Sequence, residues 1–363
     1  MNKCYCFILG FFLVACTPQS TTSDFPEEEW AYQSLVEAGI QKDVLGEALS
    51  FLEKNSFQDG IEEVVIVKGG KIIFEGDSVE KQHNIYSCSK AFTSLVMGLL
   101  AEEGRIEITD LVHHTLPELA PLYPDLTWRH FATMTSGYSG AGISRWNEEN
   151  SDWSWTPYEP EEPHFAPGTH YEYWDEAQMM FGKGLTTVLQ GTMYAYLDQH
   201  IMKPIGVQHW SWGTEQELSN GIPINNGCTG VTLHAKDMAR FGLLFLNEGR
   251  WGEQQLIPQD FARQAISVQV PVSISLFSGE RASAKGSGSY GYNWWVNSED
   301  GLSGMPDAPM RAAYLSGLNH NICMIIPEWD MVVVRMGDDK NPVHPKHEVW
   351  NEFLGMLGKG IER

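Results

Sequence analysis

The spacing of apolar residues changes period several times along the chain. Residues 29–56 place Leu35, Ile40, Leu45, Ala48 and Leu52 at helical intervals. From Val64 to Phe74 the pattern becomes an apolar, β-branched run interrupted by Gly69-Gly70, which predicts two strands joined by a tight turn. Ser87 to Glu103 returns to a helix, with Ala91, Phe92, Leu95, Val96, Leu99 and Leu100 on most sides and Gly104 as its stop. A helix that is apolar nearly all round is a buried one. Its first turn is therefore expected to open into the middle of the molecule. Residues 105–245 read as mainly helical and loop-rich. Tyr290–Val296, Ile322–Ile326 and Met331–Arg335 read as strands, and Lys346–Leu357 as a closing helix. No internal repeat is present. Strands at both ends of a helical middle predict an α+β fold. Its antiparallel sheet would be formed by both termini and flanked by helices, with a mainly helical lobe inserted.

The first residues fit neither period. Lys3 precedes an apolar run from Cys4 to Ala15, which is too short to span a bilayer and has the length of a signal-peptide core. Leu13-Val14-Ala15-Cys16 resembles a bacterial lipobox. Residues 1–15 are thus expected to be a signal peptide and 16–27 a lipidated tether starting at Cys16. Residues 28–363 would form the folded domain. Thr17, not Asp, follows the cysteine, which by resemblance to Gram-negative lipoproteins implies the outer membrane, on its periplasmic side or surface.

Composition narrows the function. The 363 residues are 42% hydrophobic and 20% charged, enough apolar material for one large core. A formal net charge of −23 repels phosphate backbones, which argues against a nucleic-acid partner. Beyond the signal and lipobox cysteines, Cys88, Cys228 and Cys323 remain. Three cysteines allow at most one disulfide, and small buried hydrophobes are the simpler reading.

Ser87-Cys88-Ser89-Lys90 places S-x-x-K at the start of the buried helix. Positions i and i+3 share a helix face, so the hydroxyl and the amine can touch. Serine needs a base to become a nucleophile, and lysine supplies one when its proton is removed. Helix N-terminal N–H groups favour a developing oxyanion. Lys90 is unusual there, because the helix dipole disfavours a cation in the first turn.

The surrounding residues resemble one superfamily. Ser87-Cys-Ser-Lys-Ala-Phe-Thr-Ser is similar to the nucleophile helix of serine β-lactamase-related proteins. These include penicillin-binding proteins, class C enzymes, family VIII-type esterases and nylon-oligomer hydrolases. Gly104-Arg-Ile-Glu-Ile-Thr-Asp-Leu-Val112, Met134-Thr-Ser-Gly137, Pro167-Gly-Thr-His-Tyr-Glu-Tyr-Trp-Asp175, Asp237-Met-Ala-Arg-Phe-Gly242 and Ile326-Pro-Glu-Trp-Asp-Met-Val follow in that group's order, over roughly residues 60–345. The resemblance implies that Tyr173 is a second catalytic residue, relaying the serine proton to the leaving group.

Two positions depart from the pattern. Asp175 stands where the group has Asn; a carboxylate only accepts hydrogen bonds and would hold Lys90 charged, or else orient a substrate amine. In the third motif, Ser316-Gly317-Leu318-Asn319-His320-Asn321 carries no Lys or His at the first position, although His320 lies two residues on. Asp175, Gly317, Asn319 and His320 are the expected substrate-binding positions. Losing the cation weakens the case for a β-lactam or D-Ala-D-Ala carboxylate. His164, His170 and His234 are scattered, with no H-E-x-x-H or C-x-x-C, so no metal and no cofactor is expected.

These residues point to an exported serine hydrolase. It would cleave a small ester or amide through an acyl-enzyme on Ser87 and meet the membrane through Cys16. Two other readings stay open. One is a decayed active site that binds or senses envelope material. The other is a carbohydrate surface on segment 144–163, where Trp146, Trp153, Trp155 and Tyr158 accompany six acidic residues.

Overall fold

The computed structural model describes residues 24–56, 58–141, 156–277, 285–298, 305–337 and 347–362. The signal, the lipobox with Cys16, and residues 144–155 of the Trp-rich segment lie outside them. Among the described residues the longer helices are α1 (Lys42–Asn55), α2 (Lys90–Glu102), α3 (Asp175–Leu189), α4 (Ala235–Leu246) and α5 (His347–Leu357). Among the described residues, one six-stranded sheet dominates. Its strands are β1 (Val64–Lys68), β2 (Lys71–Glu75), β3 (Trp295–Val296), β4 (Ala313–Gly317), β5 (Asn321–Ile326) and β6 (Met331–Arg335). They lie in the order β3-β4-β5-β6-β1-β2, every pair antiparallel, so both ends of the chain meet where β1 pairs with β6. This is the predicted α+β architecture.

Side-chain alternation explains why the central strands are apolar without a break. Val64 and Ile66 of β1, Ile322, Met324 and Ile326 of β5, and Met331 and Val333 of β6 face one core with Leu45, Leu49 and Leu52 of α1 and Trp350, Phe353 and Leu357 of α5. Val65, Val67, Cys323, Ile325, Val332 and Val334 face the other core, shared with Phe92 and Leu95 of α2 and Phe241 and Leu244 of α4. A sheet covered on both faces needs apolar residues at successive positions, where a half-exposed one would alternate. The Gly69-Gly70 turn holds φ of 59° and 80°, the left-handed backbone that a two-residue hairpin requires.

Several elements differ from their predicted form. Helix α1 begins at Lys42, not near residue 29. The preceding stretch spends its hydrogen bonds on the edge of β2 instead, with Gln33 N–H donating to Ile72 O (3.1 Å) and Ile72 N–H to Ala31 O (2.9 Å). That covers a sheet edge that would otherwise be open to pairing. Only Trp295–Val296 of the predicted strand 290–296 is extended, because Asn293 takes φ 59° and folds the chain back. The inserted lobe is less purely helical than expected: His83–Asn84, Val231–Leu233 and Ser211–Trp212 form a small sheet within it. The closing helix starts at His347. Cys88, Cys228 and Cys323 are buried free thiols. No helix among the described residues is long and apolar enough to cross a membrane.

Candidate active site

The predicted helix from Ser87 does not start as an α-helix. Tyr86–Ser89 form a 3₁₀ turn, and α-helical bonding begins at Lys90. Tyr86 sits at φ 47°, a costly conformation for a bulky residue. Its surroundings hold it there: Tyr86 N–H donates to Asn84 Oδ1 (2.9 Å), Ile85 N–H to Val231 O (2.9 Å), and Val231 N–H to Ser89 Oγ (3.1 Å). The end of β4 closes on the same turn. A Cβ on Gly317 would lie 2.3 Å from Ile85 O and 3.3 Å from Ser87 N, so only glycine permits this approach.

Lys90 is 1% exposed. Its Nζ lies 2.9 Å from Ser87 Oγ, 3.1 Å from Cys228 O and 2.7 Å from Asp175 Oδ1. Three acceptors match the three protons of an ammonium group. Burial alone would lower its pKa, but the Asp175 carboxylate, followed by Tyr173 and Cys228, outweighs it, and the net shift is upward. The resting lysine is therefore charged and donates to the serine.

Tyr173 completes the group. Its phenol lies within electrostatic reach of the Ser87 and Lys90 side chains, which act to lower its pKa. Lys90 Nζ stands 4.9 Å from the centre of its ring, which stacks on Trp295 at 5.8 Å. Burial raises the phenol pKa, partly offset by Lys90, so Tyr173 is a neutral donor at rest. Asp175 opens α3, where the helix dipole favours a carboxylate. Thus Ser87, Lys90, Tyr173 and Asp175, drawn from two distant segments, share one site, with Gly317 against the Tyr86–Ser89 turn.

Asn319 and His320 occupy a different setting. Both take left-handed backbone (φ 61° and 57°) in the turn between β4 and β5, and they are 1% and 0% exposed. The Asn319 carbonyl accepts from Arg335 Nη1 at 2.6 Å. On this hairpin, the half-buried positions are Ser316 and Leu318. His234 caps α4, with Asp237 N–H donating to its Nδ1 (3.2 Å), while His164 and His170 pack among Phe165 and Phe277.

Sequence reading missed the main-chain and amide supports. Cys228 contributes a carbonyl, for which no side-chain signature exists. Asn293 Nδ2 donates to Lys90 O (2.9 Å) and to Gln178 Oε1 (2.8 Å), tying α2 to α3. The available signal was the polar Asn293 inside an aromatic run that otherwise reads as a strand.

Comparisons with known proteins agree with this fold. A family model described as Beta-lactamase matches residues 57–351. Protein flp of Staphylococcus aureus (strain MW2) is 26% identical over 167 residues, 40% of this chain and 33% of that protein. This chain thus aligns with about a third of that relative's length. Among solved structures, a putative 6-aminohexanoate-dimer hydrolase from Bacillus anthracis superposes with a TM-score of 0.66 at 19% identity, covering 92% of this chain and 88% of the other. A putative beta-lactamase from Bacteroides dorei DSM 17855 gives 0.65 at 16% identity, covering 89% and 100%. At such identities the structural matches show the fold.

Proposed function

This chain belongs to the Beta-lactamase family, and on that premise we propose that it is an exported serine hydrolase that opens an ester or amide through an acyl-enzyme on Ser87. The observation that supports this reading is the Lys90–Ser87 hydrogen bond at the start of a buried helix, with the Tyr173 ring beside the Lys90 ammonium. In the reaction, Ser87 Oγ attacks the carbonyl carbon and its proton passes to Lys90 in the neutral amine form. Tyr173 hands a proton to the leaving oxygen or nitrogen as its bond to carbon breaks. Main-chain N–H groups of Ser87 and of the 317–320 turn hold the oxyanion, which the contact of Gly317 with Ser87 N favours. Water then releases the acyl group by the reverse proton route.

The third motif favours substrates that need no carboxylate. A cation facing the cleft would have to come from His320, and that ring is fully enclosed. The lipid anchor at Cys16 and an outer-membrane position belong to the same proposal and rest on the N-terminal sequence alone.

Intact-mass spectrometry of the protein in detergent, after treatment with a fluorophosphonate, tests the chemistry. One adduct on wild type, absent from Ser87→Ala, is the expected result. A folded wild type that takes no adduct would sink the hydrolase reading and favour a binding protein on this fold.

A further inference from the structure

The site carries a contradiction that its geometry resolves. A general base must be neutral before it accepts a proton, yet Lys90 donates to Ser87, to Cys228 O and, most closely, to the carboxylate of Asp175 at 2.7 Å. The two partners of the ion pair are not equally enclosed. The Lys90 side chain is 1% exposed and that of Asp175 15%, so Asp175 is the more accessible member. Its neighbour Glu176 is 3% exposed and accepts from Gly140 N–H at 3.0 Å, away from this pair.

We propose that Asp175 is the receptor for a positively charged amine of the substrate, so that the enzyme takes cationic esters or amides, and that seating this amine frees Lys90 to act as base. The inference rests on the hydrolase reading and names its substrate class. One Lys90 nitrogen touches both Ser87 Oγ and Asp175 Oδ1, so the amine would stand close to the scissile carbonyl, as in an α- or β-amino acyl group. A second cation on the same carboxylate repels the Lys90 ammonium, and a like charge at that range disfavours the protonated form. Lys90 then gives one proton to solvent and becomes a neutral amine. It takes the Ser87 proton as the Oγ–carbon bond forms, and the leaving group departs with a proton from Tyr173. The titratable groups that face Lys90 are Asp175, Tyr173 and Cys228, with the Cys88 thiol beside it on its own turn. Asp175 is the one that combines a formal charge with partial exposure. The formal charge of −23 further attracts cationic substrates and repels anionic ones.

The test compares p-nitrophenyl esters of matched shape: butyrate against β-alanine, and isobutyrate against each enantiomer of alanine. Values of kcat/KM are corrected for spontaneous hydrolysis. Wild type is expected to prefer an amine-bearing ester by tenfold or more. Asp175→Asn should lose that preference and cleave the butyrate ester several-fold faster, because its lysine is no longer clamped. Asp175→Glu, which keeps the charge, should retain part of the preference. Equal rates on amine and alkyl esters in wild type, or a preference that survives Asp175→Asn, would overturn the proposal. The wild-type comparison stands even if a variant misfolds. Turnover of butyrate without selectivity removes this inference and leaves the hydrolase intact. Fluorophosphonate labelling without turnover of any amine ester also overturns it, and absence of both labelling and turnover removes the two readings together.

Discussion

Lys90 and Arg335 are the most deeply buried cations among the described residues, and their surroundings differ in kind. Lys90 lies beside the Tyr86–Ser89 turn among groups that can change protonation: a serine hydroxyl, a tyrosine hydroxyl and a carboxylate. Arg335, at the end of β6 and 0% exposed, donates to the main-chain carbonyls of Ser56 (2.6 Å), Asn319 (2.6 Å) and Gly60 (3.3 Å). Guanidinium keeps its proton throughout the accessible pH range, and a carbonyl has none to give. Arg335 therefore works as a strut: it ties the loop before β1 to the left-handed turn at Asn319 and His320, and that hairpin carries Gly317 to Ser87. Lys90 is the group whose charge can move. Burial of a cation by itself identifies neither role; the chemistry of the acceptors separates them.

The sharpest way to test this contrast is to remove each cation. Lys90→Met should slow fluorophosphonate labelling of Ser87 about a thousandfold or more, with the melting temperature changed by only a few degrees. A variant labelled at the wild-type rate would deny Lys90 its catalytic part. Arg335→Met should do the opposite. It leaves three buried carbonyls without this donor, at about 1–3 kcal/mol for each buried group left unsatisfied. We expect a loss of about 3 kcal/mol or more in urea unfolding; wild-type stability would refute the strut.

Gly317→Ala probes the link between the two regions. The added Cβ would meet Ile85 O at 2.3 Å, so the hairpin must shift away from the nucleophile turn. A displacement of about 1 Å at such a site costs on the order of a hundredfold in rate. Labelling should fall tenfold to a hundredfold while far-ultraviolet circular dichroism stays unchanged.

The acid–base contrast is smaller and appears in pH profiles. Lys90 is raised above the ordinary lysine value of about 10.4 once Asp175 has overcome the lowering effect of burial. The labelling rate of wild type should thus still be climbing at pH 10, since the neutral amine forms late. In Asp175→Asn the carboxylate is gone and burial remains, so the rising limb should move to lower pH. An unmoved limb would show that Asp175 does not govern Lys90. For stability the sign follows the same shift. A folded pKa above the unfolded one contributes stability that is fully present below about pH 10.4 and is lost as pH rises through the folded value. The smallest effect concerns Cys88. Its thiol is buried and raised by desolvation, only partly offset by Lys90, so iodoacetamide should leave it unmodified in the folded protein at pH 8.

Legibility in the sequence followed the type of contact. The β1–β2 hairpin, β5, β6 and the Ser87–Lys90 pair were readable because each rests on a local rule: an unbroken β-branched apolar run, a Gly-Gly turn, or i,i+3 adjacency. The segment before α1 and the turn at Asn293 misled for the opposite reason. Their apolar and aromatic residues satisfy a helix or strand pattern locally, but their hydrogen bonds go to Ile72, Lys90 and Gln178, far away in the chain.

The sequence alone thus determined the α+β class, the family and the Ser87–Lys90 pair that is proposed to carry the chemistry, because side-chain periodicity and short motifs record which residue types stand at which local spacing. Only the tertiary structure decided that Asp175 reaches Lys90, that Cys228 offers its carbonyl, that Gly317 lies against the nucleophile turn and that His320 is enclosed. Those outcomes depend on contacts between main-chain atoms and residues as much as 232 positions apart, as Ile85 and Gly317 are, and a main-chain carbonyl looks the same in every sequence.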